Sequence, residues 1–143
     1  MSRSIVDYAL QRRAVLADLR GGRVGAAEVC DAHPYLLRAA KYHGETSTTD
    51  CPICRRERLT HVRYVYGDQL GRVSGQAKTA LETRRLAATG REFTVYVVEV
   101  CRSCGWNHLV TSSAIGPSAR RGEPAGRSRS KEPKESSRRA ARE

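Results

Sequence analysis

Apolar positions recur at helical intervals through the first third of the chain. Ile5, Ala9, Leu16 and Leu19 form one side, and Arg12, Arg13 and Arg20 fall mostly on the other. This spacing predicts a helix over residues 5–19, capped by Ser4 and stopped by Gly21-Gly22. Residues 26–30 read as a short second helix. Pro34 stands at the first turn of a third over residues 35–42, with Leu36, Leu37 and Ala40 as its apolar face and Gly44 beyond its end. Three short helices joined by tight turns suit a helix-turn-helix or a plain helical cap over the downstream residues. Glu45–Asp50 is polar throughout and reads as a loop.

From residue 59 the period shortens to two. Thr60, Val62, Tyr64 and Tyr66 alternate with Leu59, His61, Arg63 and Val65, which predicts a strand over residues 59–66. A turn at Gly67-Asp68 and a loop over residues 71–75 come next. Ala77, Ala80, Leu81 and Leu86 then predict a helix over residues 76–89, with Gly90 as its C-cap. Phe93–Val100 is the strongest strand pattern in the chain. Phe93, Val95, Val97 and Glu99 point one way, and Thr94, Tyr96, Val98 and Val100 the other. A return strand over residues 106–112 completes the ordered part, which ends at Gly116-Pro117.

Two CxxC pairs carry the candidate chemistry, Cys51-Pro-Ile-Cys54 and Cys101-Arg-Ser-Cys104. In each, a tight turn lets both sulfurs face one point, and two such turns offer the four soft donors that tetrahedral zinc requires. The second pair sits between two strand patterns, and Gly105 suits a turn that needs positive φ. Cys51, Cys54, Cys101 and Cys104 are therefore expected to hold one structural zinc ion. Four thiolates close the coordination shell and leave no position for a catalytic water. The predicted fold class is α+β: a small antiparallel zinc ribbon over residues 46–116 with one inserted helix, an N-terminal helical segment over residues 1–45 and a disordered basic tail over residues 117–143. Cys30 lies in the short second helix, far from both pairs, and reads as a buried structural thiol.

Charge sharpens the functional reading. The chain has 143 residues and a net charge of +11. Residues 117–143 hold nine basic and four acidic residues and no Val, Ile, Leu, Phe, Tyr or Trp. Such a segment cannot bury enough apolar surface to offset the entropy of ordering it. The remainder is also basic, which favours polyanionic partners. Arg55, Arg56, Arg58 and Arg102 flank the two cysteine turns and form a candidate basic patch. Trp106 and His108 follow the second turn directly. Trp106 either packs as core or joins His108 in contacting a base or a partner. No signal-peptide pattern or membrane-length apolar stretch is visible, so a cytoplasmic protein is expected, where paired cysteines read as metal or redox chemistry rather than disulfides. No catalytic triad or phosphate-cradling loop can be assigned.

The segments Cys51-Pro-Ile-Cys54, Tyr64-Val-Tyr-Gly-Asp68, Phe93–Val100 with Cys101, and Cys104-Gly-Trp-Asn-His-Leu109 resemble a family of small actinobacterial proteins of uncharacterised function, as do Glu28-Val-Cys-Asp-Ala-His-Pro34 and Leu37-Arg-Ala-Ala40. The resemblance covers about residues 4–116 and implies an actinobacterial, cytoplasmic origin without implying an activity. The expectation is a non-enzymatic, zinc-bearing accessory protein that binds nucleic acid or a nucleoprotein machine such as RNA polymerase or the ribosome. The alternatives are a zinc-stabilised protein–protein adaptor, which could take an acidic protein face, and a thiol redox protein.

Overall fold

The computed structural model describes residues 3–117. In chain order its elements are β1 (Arg3–Asp7), α1 (Ala9–Arg20), α2 (Ala26–Val29), α3 (Pro34–His43), β2 (Glu45–Asp50), β3 (Arg58–Tyr66), β4 (Ala77–Lys78), α4 (Ala80–Ala88), β5 (Phe93–Val100) and β6 (Asn107–Ile115). A 3-10 turn over Asp68–Val73 links β3 to β4. All strand pairs are antiparallel, in the order β1-β6-β5-β3-β2, and β4 shares the far edge of β3 with β2. The α+β class expected from the sequence holds, with a six-stranded sheet at its centre. The expected tail beyond Pro117 lies outside the described residues.

β5 anchors the sheet because its β-branched and aromatic residues suit a pleated surface covered on both sides. Tyr96, Val98 and Val100 join Val62, Tyr64 and Leu109 beneath Leu36 and Ala40 of α3. The alternate residues Phe93 and Val95 pack with Val65, Leu70 and Ile115, against which Leu86 and Ala87 of α4 lie. A third cluster, at the cysteine end, gathers Leu16 of α1 with Cys51, Leu59, Cys101 and Trp106. Helices from residues 1–45 thus share cores with the later strands. α3 spends its apolar face on the sheet, so it caps the sheet.

Three local expectations are corrected. Residues 3–7 form a strand rather than the start of a helix: Ile5 pairs with Ser113 and Val6 with Ser112. The helix begins only at Ala9, whose N–H donates to Asp7 Oδ1 at 2.7 Å, so Asp7 and not Ser4 meets its N-terminus. Glu45–Asp50 is not a loop but an edge strand, wet on both faces, whose Glu45 and Thr46 pair with His61 and Thr60. The helix placed over residues 76–89 starts at Ala80, because Ala77–Lys78 pairs with Arg63 and Tyr64. Thr79 and Glu82 form a capping box there: Thr79 Oγ1 accepts from the Glu82 N–H at 3.1 Å, and Glu82 Oε1 accepts from the Thr79 N–H at 2.9 Å.

α3 is capped by His33, whose Nδ1 accepts from the Tyr35 N–H at 3.0 Å. Its other end turns into β2 at Gly44, where an added Cβ would collide with the Ala40 carbonyl and Thr60 Cγ2. Gly44 has φ of −82°, so sterics and not backbone freedom require glycine. Gly44→Ala is expected to destabilise by about 1–3 kcal/mol, the usual cost of overpacking, read as a lower urea midpoint at unchanged m-value.

Candidate metal centre

The sheet topology brings the two CxxC pairs together. One pair lies in the turn joining β2 to β3 and the other in the turn joining β5 to β6. β3 and β5 are antiparallel neighbours, with Thr60 opposite Val100, so both turns emerge at the same end of the sheet. The 46 residues between Cys54 and Cys101 run away from that end and back again, through β3, the 3-10 turn, β4, α4 and β5. The length of the insert therefore leaves the cysteine geometry intact.

The two turns are built alike. Cys51 N–H donates to the Glu57 carbonyl and Cys101 N–H to the Trp106 carbonyl, each at 2.8 Å. Arg55 N–H donates to the Cys51 carbonyl at 3.1 Å, and Gly105 N–H to the Cys101 carbonyl at 3.0 Å. The equivalent residues Arg55 and Gly105 both have positive φ, 57° and 92°. Arg55 is the one non-glycine residue with positive φ among the described residues. Glycine is required only at the second turn, where a Cβ would press on the Cys30 carbonyl, with its oxygen at 3.0 Å and carbon at 3.2 Å. Backbone N–H groups also point at the sulfurs. Ile53 N–H donates to Cys51 Sγ and Cys104 N–H to Cys101 Sγ, both at 3.4 Å.

The four ligand atoms of Cys51, Cys54, Cys101 and Cys104 all lie within 4.8 Å of one another. Cys51 and Cys104 sulfurs are 3.6 Å apart, as are those of Cys54 and Cys101. Four sulfurs about 2.3 Å from a central ion at tetrahedral angles would be separated by about 3.8 Å. The donor set therefore fits a metal ion in chemistry and in size. Cys51 and Cys101 are fully buried, and Cys54 and Cys104 are half-buried. Burial pushes the Cys51 and Cys101 thiols up and takes Cys104 to about 12. The Arg56 backbone N–H is the chief cause that holds Cys54 at about 7. A cation at the centre is what would let all four ionise together.

Cys30 is not remote from this centre, which corrects the sequence reading. Its Sγ lies 3.5 Å from Cys104 Sγ. The segment carrying it is pinned across the second turn by two bonds: Ala32 N–H to the Gly105 carbonyl at 3.0 Å, and Asn107 Nδ2 to Asp31 Oδ1 at 3.0 Å. No local spacing signalled this contact; only the odd cysteine count hinted at it.

The candidate contact residues divide. Arg55, Arg56, Arg58 and Arg102 are all exposed around the two turns. Between them, Glu57 Oε1 accepts from Ser103 Oγ at 3.1 Å and ties one turn to the other. Trp106 is fully buried, and its indole N–H donates to Glu99 Oε2 at 2.7 Å, so its ring is core. His108 is half-buried and stacked on Trp106, with ring centroids 6.0 Å apart. Among the described residues no helix is long and apolar enough to cross a membrane.

A family model described as a family of unknown function (DUF5318) matches residues 1–130. Uncharacterized proteins of Mycobacterium tuberculosis (strain ATCC 25618 / H37Rv) and Mycobacterium bovis (strain ATCC BAA-935 / AF2122/97) are each 59% identical over 111 residues, spanning 78% of this chain and 81% of the relative. These mycobacterial relatives agree with the actinobacterial resemblance read from the motifs. No solved structure matches.

Proposed function

This chain belongs to the DUF5318 family of unknown function, and from that premise we propose that it is a non-enzymatic, cytoplasmic accessory protein whose structural zinc ribbon presents a basic surface to nucleic acid or to a nucleoprotein machine such as RNA polymerase or the ribosome. One observation carries the reading: four cysteine sulfurs within 4.8 Å of one another, ringed by exposed Arg55, Arg56, Arg58 and Arg102. Four thiolates at tetrahedral separations suit zinc or iron, and zinc is the better fit to a structural role because it needs no redox role and closes a structural shell. A shell closed by four sulfurs stabilises a fold and leaves no open position for substrate. A divalent ion held by four thiolates carries a net charge of −2, which the four arginines more than offset, and the net charge of +11 strengthens attraction to phosphate.

The test is a mobility shift with single-stranded and duplex RNA and DNA over a range of salt. Replacing Arg55, Arg56, Arg58 and Arg102 with Gln is expected to weaken binding and to reduce the slope of log K against log salt by roughly 3–4 for a duplex, or somewhat less for a single strand. Absence of binding at low salt, or an unchanged slope in the variant, counts against nucleic-acid contact. The second reading is a protein–protein adaptor. It is favoured by exposed Ile5, Val6 and Leu10, which leave apolar surface at the edge strand β1 and the start of α1.

A further inference from the structure

Five sulfurs, not four, meet at the end of the sheet. Cys51, Cys54, Cys101 and Cys104 satisfy a tetrahedral ion, and Cys30 is left as a thiol in contact with one of them. Three sulfur pairs lie at 3.5–3.6 Å: Cys30–Cys104, Cys51–Cys104 and Cys54–Cys101. In the last two, both members are candidate ligands, and a bond between them would consume two donors. Only Cys30–Cys104 joins a ligand to a thiol that the ion does not need. Both of its members are half-buried, as is Cys54, whereas Cys51 and Cys101 are fully buried. The bonds from Ala32 to Gly105 and from Asn107 to Asp31 hold the Cys30 segment against the second turn. The contact is therefore a built feature of the fold.

We propose that Cys104 and Cys30 form an oxidation site for hydrogen peroxide, with Cys30 as the resolving thiol, so that a single reversible disulfide releases the metal ion. The proposal rests on the metal-centre reading above. Cys104, ionised when it serves as a metal ligand, attacks one peroxide oxygen; an S–O bond forms, the O–O bond breaks, and the departing hydroxide takes up a proton as water. Cys104 is then a sulfenic acid, and the peroxide has been reduced by two electrons. The Cys30 sulfur attacks the sulfenic sulfur; the S–S bond forms, the S–O bond breaks, and the departing hydroxide leaves with the thiol proton as a second water. The two sulfurs need to close by about 1.5 Å to reach disulfide length. The remaining three sulfurs leave one position of the tetrahedral shell to water, which weakens the hold on the ion and lets it leave.

The experiment uses the full chain purified anaerobically, with Cys30→Ser and Cys30→Ala variants. Native mass spectrometry first counts zinc in each. Hydrogen peroxide is then added, zinc release is followed with a chromogenic chelator, and peptide mass spectrometry locates the linkage. The wild-type protein is expected to form Cys30–Cys104 and to regain its zinc after dithiothreitol and added zinc. Both variants are expected to carry zinc before treatment, to spread oxidation over a Cys51–Cys104 linkage and sulfinic acid at Cys104, and to regain less zinc than wild type. Zinc-loaded wild type whose disulfides stay among the four ligands, or variants that recover as fully as wild type, would overturn the proposal while leaving the metal centre standing. Absence of zinc from untreated wild type would overturn both.

Discussion

Cys101→Ser is expected to empty the metal centre and to lower the melting temperature by about 10–20 °C. Cys101 closes the central strand β5 and is fully buried. Its carbonyl accepts the Gly105 N–H and its sulfur accepts the Cys104 N–H, so the whole second turn hangs on it. A serine oxygen on a shorter bond is a poor donor for a soft tetrahedral site, and three sulfurs hold the ion much more weakly than four. Structural zinc in small peptides binds with about 10–16 kcal/mol at neutral pH, comparable to the roughly 5–15 kcal/mol that keeps a whole domain folded. Here the clusters around Leu36 and Phe93 lie outside the cysteine end, so only part of that energy is at stake in unfolding. A loss of about 4 kcal/mol shifts the melting of a domain this size by roughly 13–17 °C. Native mass spectrometry should find one zinc per wild-type chain and none in Cys101→Ser, and a chelator should reproduce the lower melting point in wild type. A metal-free wild-type protein from anaerobic purification, or a variant melting within a few degrees of it, would refute a structural metal.

Much of this was legible in the chain because the deciding signals were local. Cys51-Pro-Ile-Cys54 and Cys101-Arg-Ser-Cys104 announce their turns by spacing alone, and Phe93–Val100 announces a buried strand by its residue types. Pro34 marked α3 to within a residue. The failures came where pairing partners are distant. β2 is polar on both faces, so it has no alternation to read; only its ladder to His61 and Thr60 makes it a strand. Ile5 fits a helical stripe with Ala9 as well as it fits a strand, and its pairing with Ser113 decides the matter. At Thr79 the chain did carry its own capping signal, Thr79-Ala-Leu-Glu82, but the apolar Ala77 extended the helical pattern across it. Cys30 belongs to the same class of failure as β2: its neighbour Cys104 is 74 positions away, and spacing says nothing at that range.

Glu99 is the most consequential of these long-range partners. The strand pattern put it on the same face as Phe93, Val95 and Val97, where a carboxylate has no business unless something compensates its charge. Two donors do so: Arg12 Nε of α1 and Trp106 Nε1 both reach Glu99 Oε2 at 2.7 Å. The Glu99 side chain is 6% exposed and that of Arg12 25%. Glu99→Ala would leave the indole N–H buried without an acceptor and the guanidinium beside it without a counter-charge. The expected loss is about 3–5 kcal/mol, the range for breaking one side of a buried pair. Glu99→Gln keeps an acceptor and should lose less, about 1–3 kcal/mol. Replacing both partners, as Glu99→Leu with Arg12→Met, should cost far less than the sum of the two single replacements, because no orphaned charge remains. Urea unfolding of these variants measures this directly, and near-additive losses would mean that the pair is not coupled. Trp106 comes shortly after the second cysteine pair, and its carbonyl receives the Cys101 N–H. Loss of Glu99 should therefore also speed zinc transfer to a chelator, whereas an equally destabilising change remote from the cysteine end, such as Leu36→Ala, should speed it less. Equal transfer rates in the two variants would limit the role of Glu99 to holding α1 on the sheet.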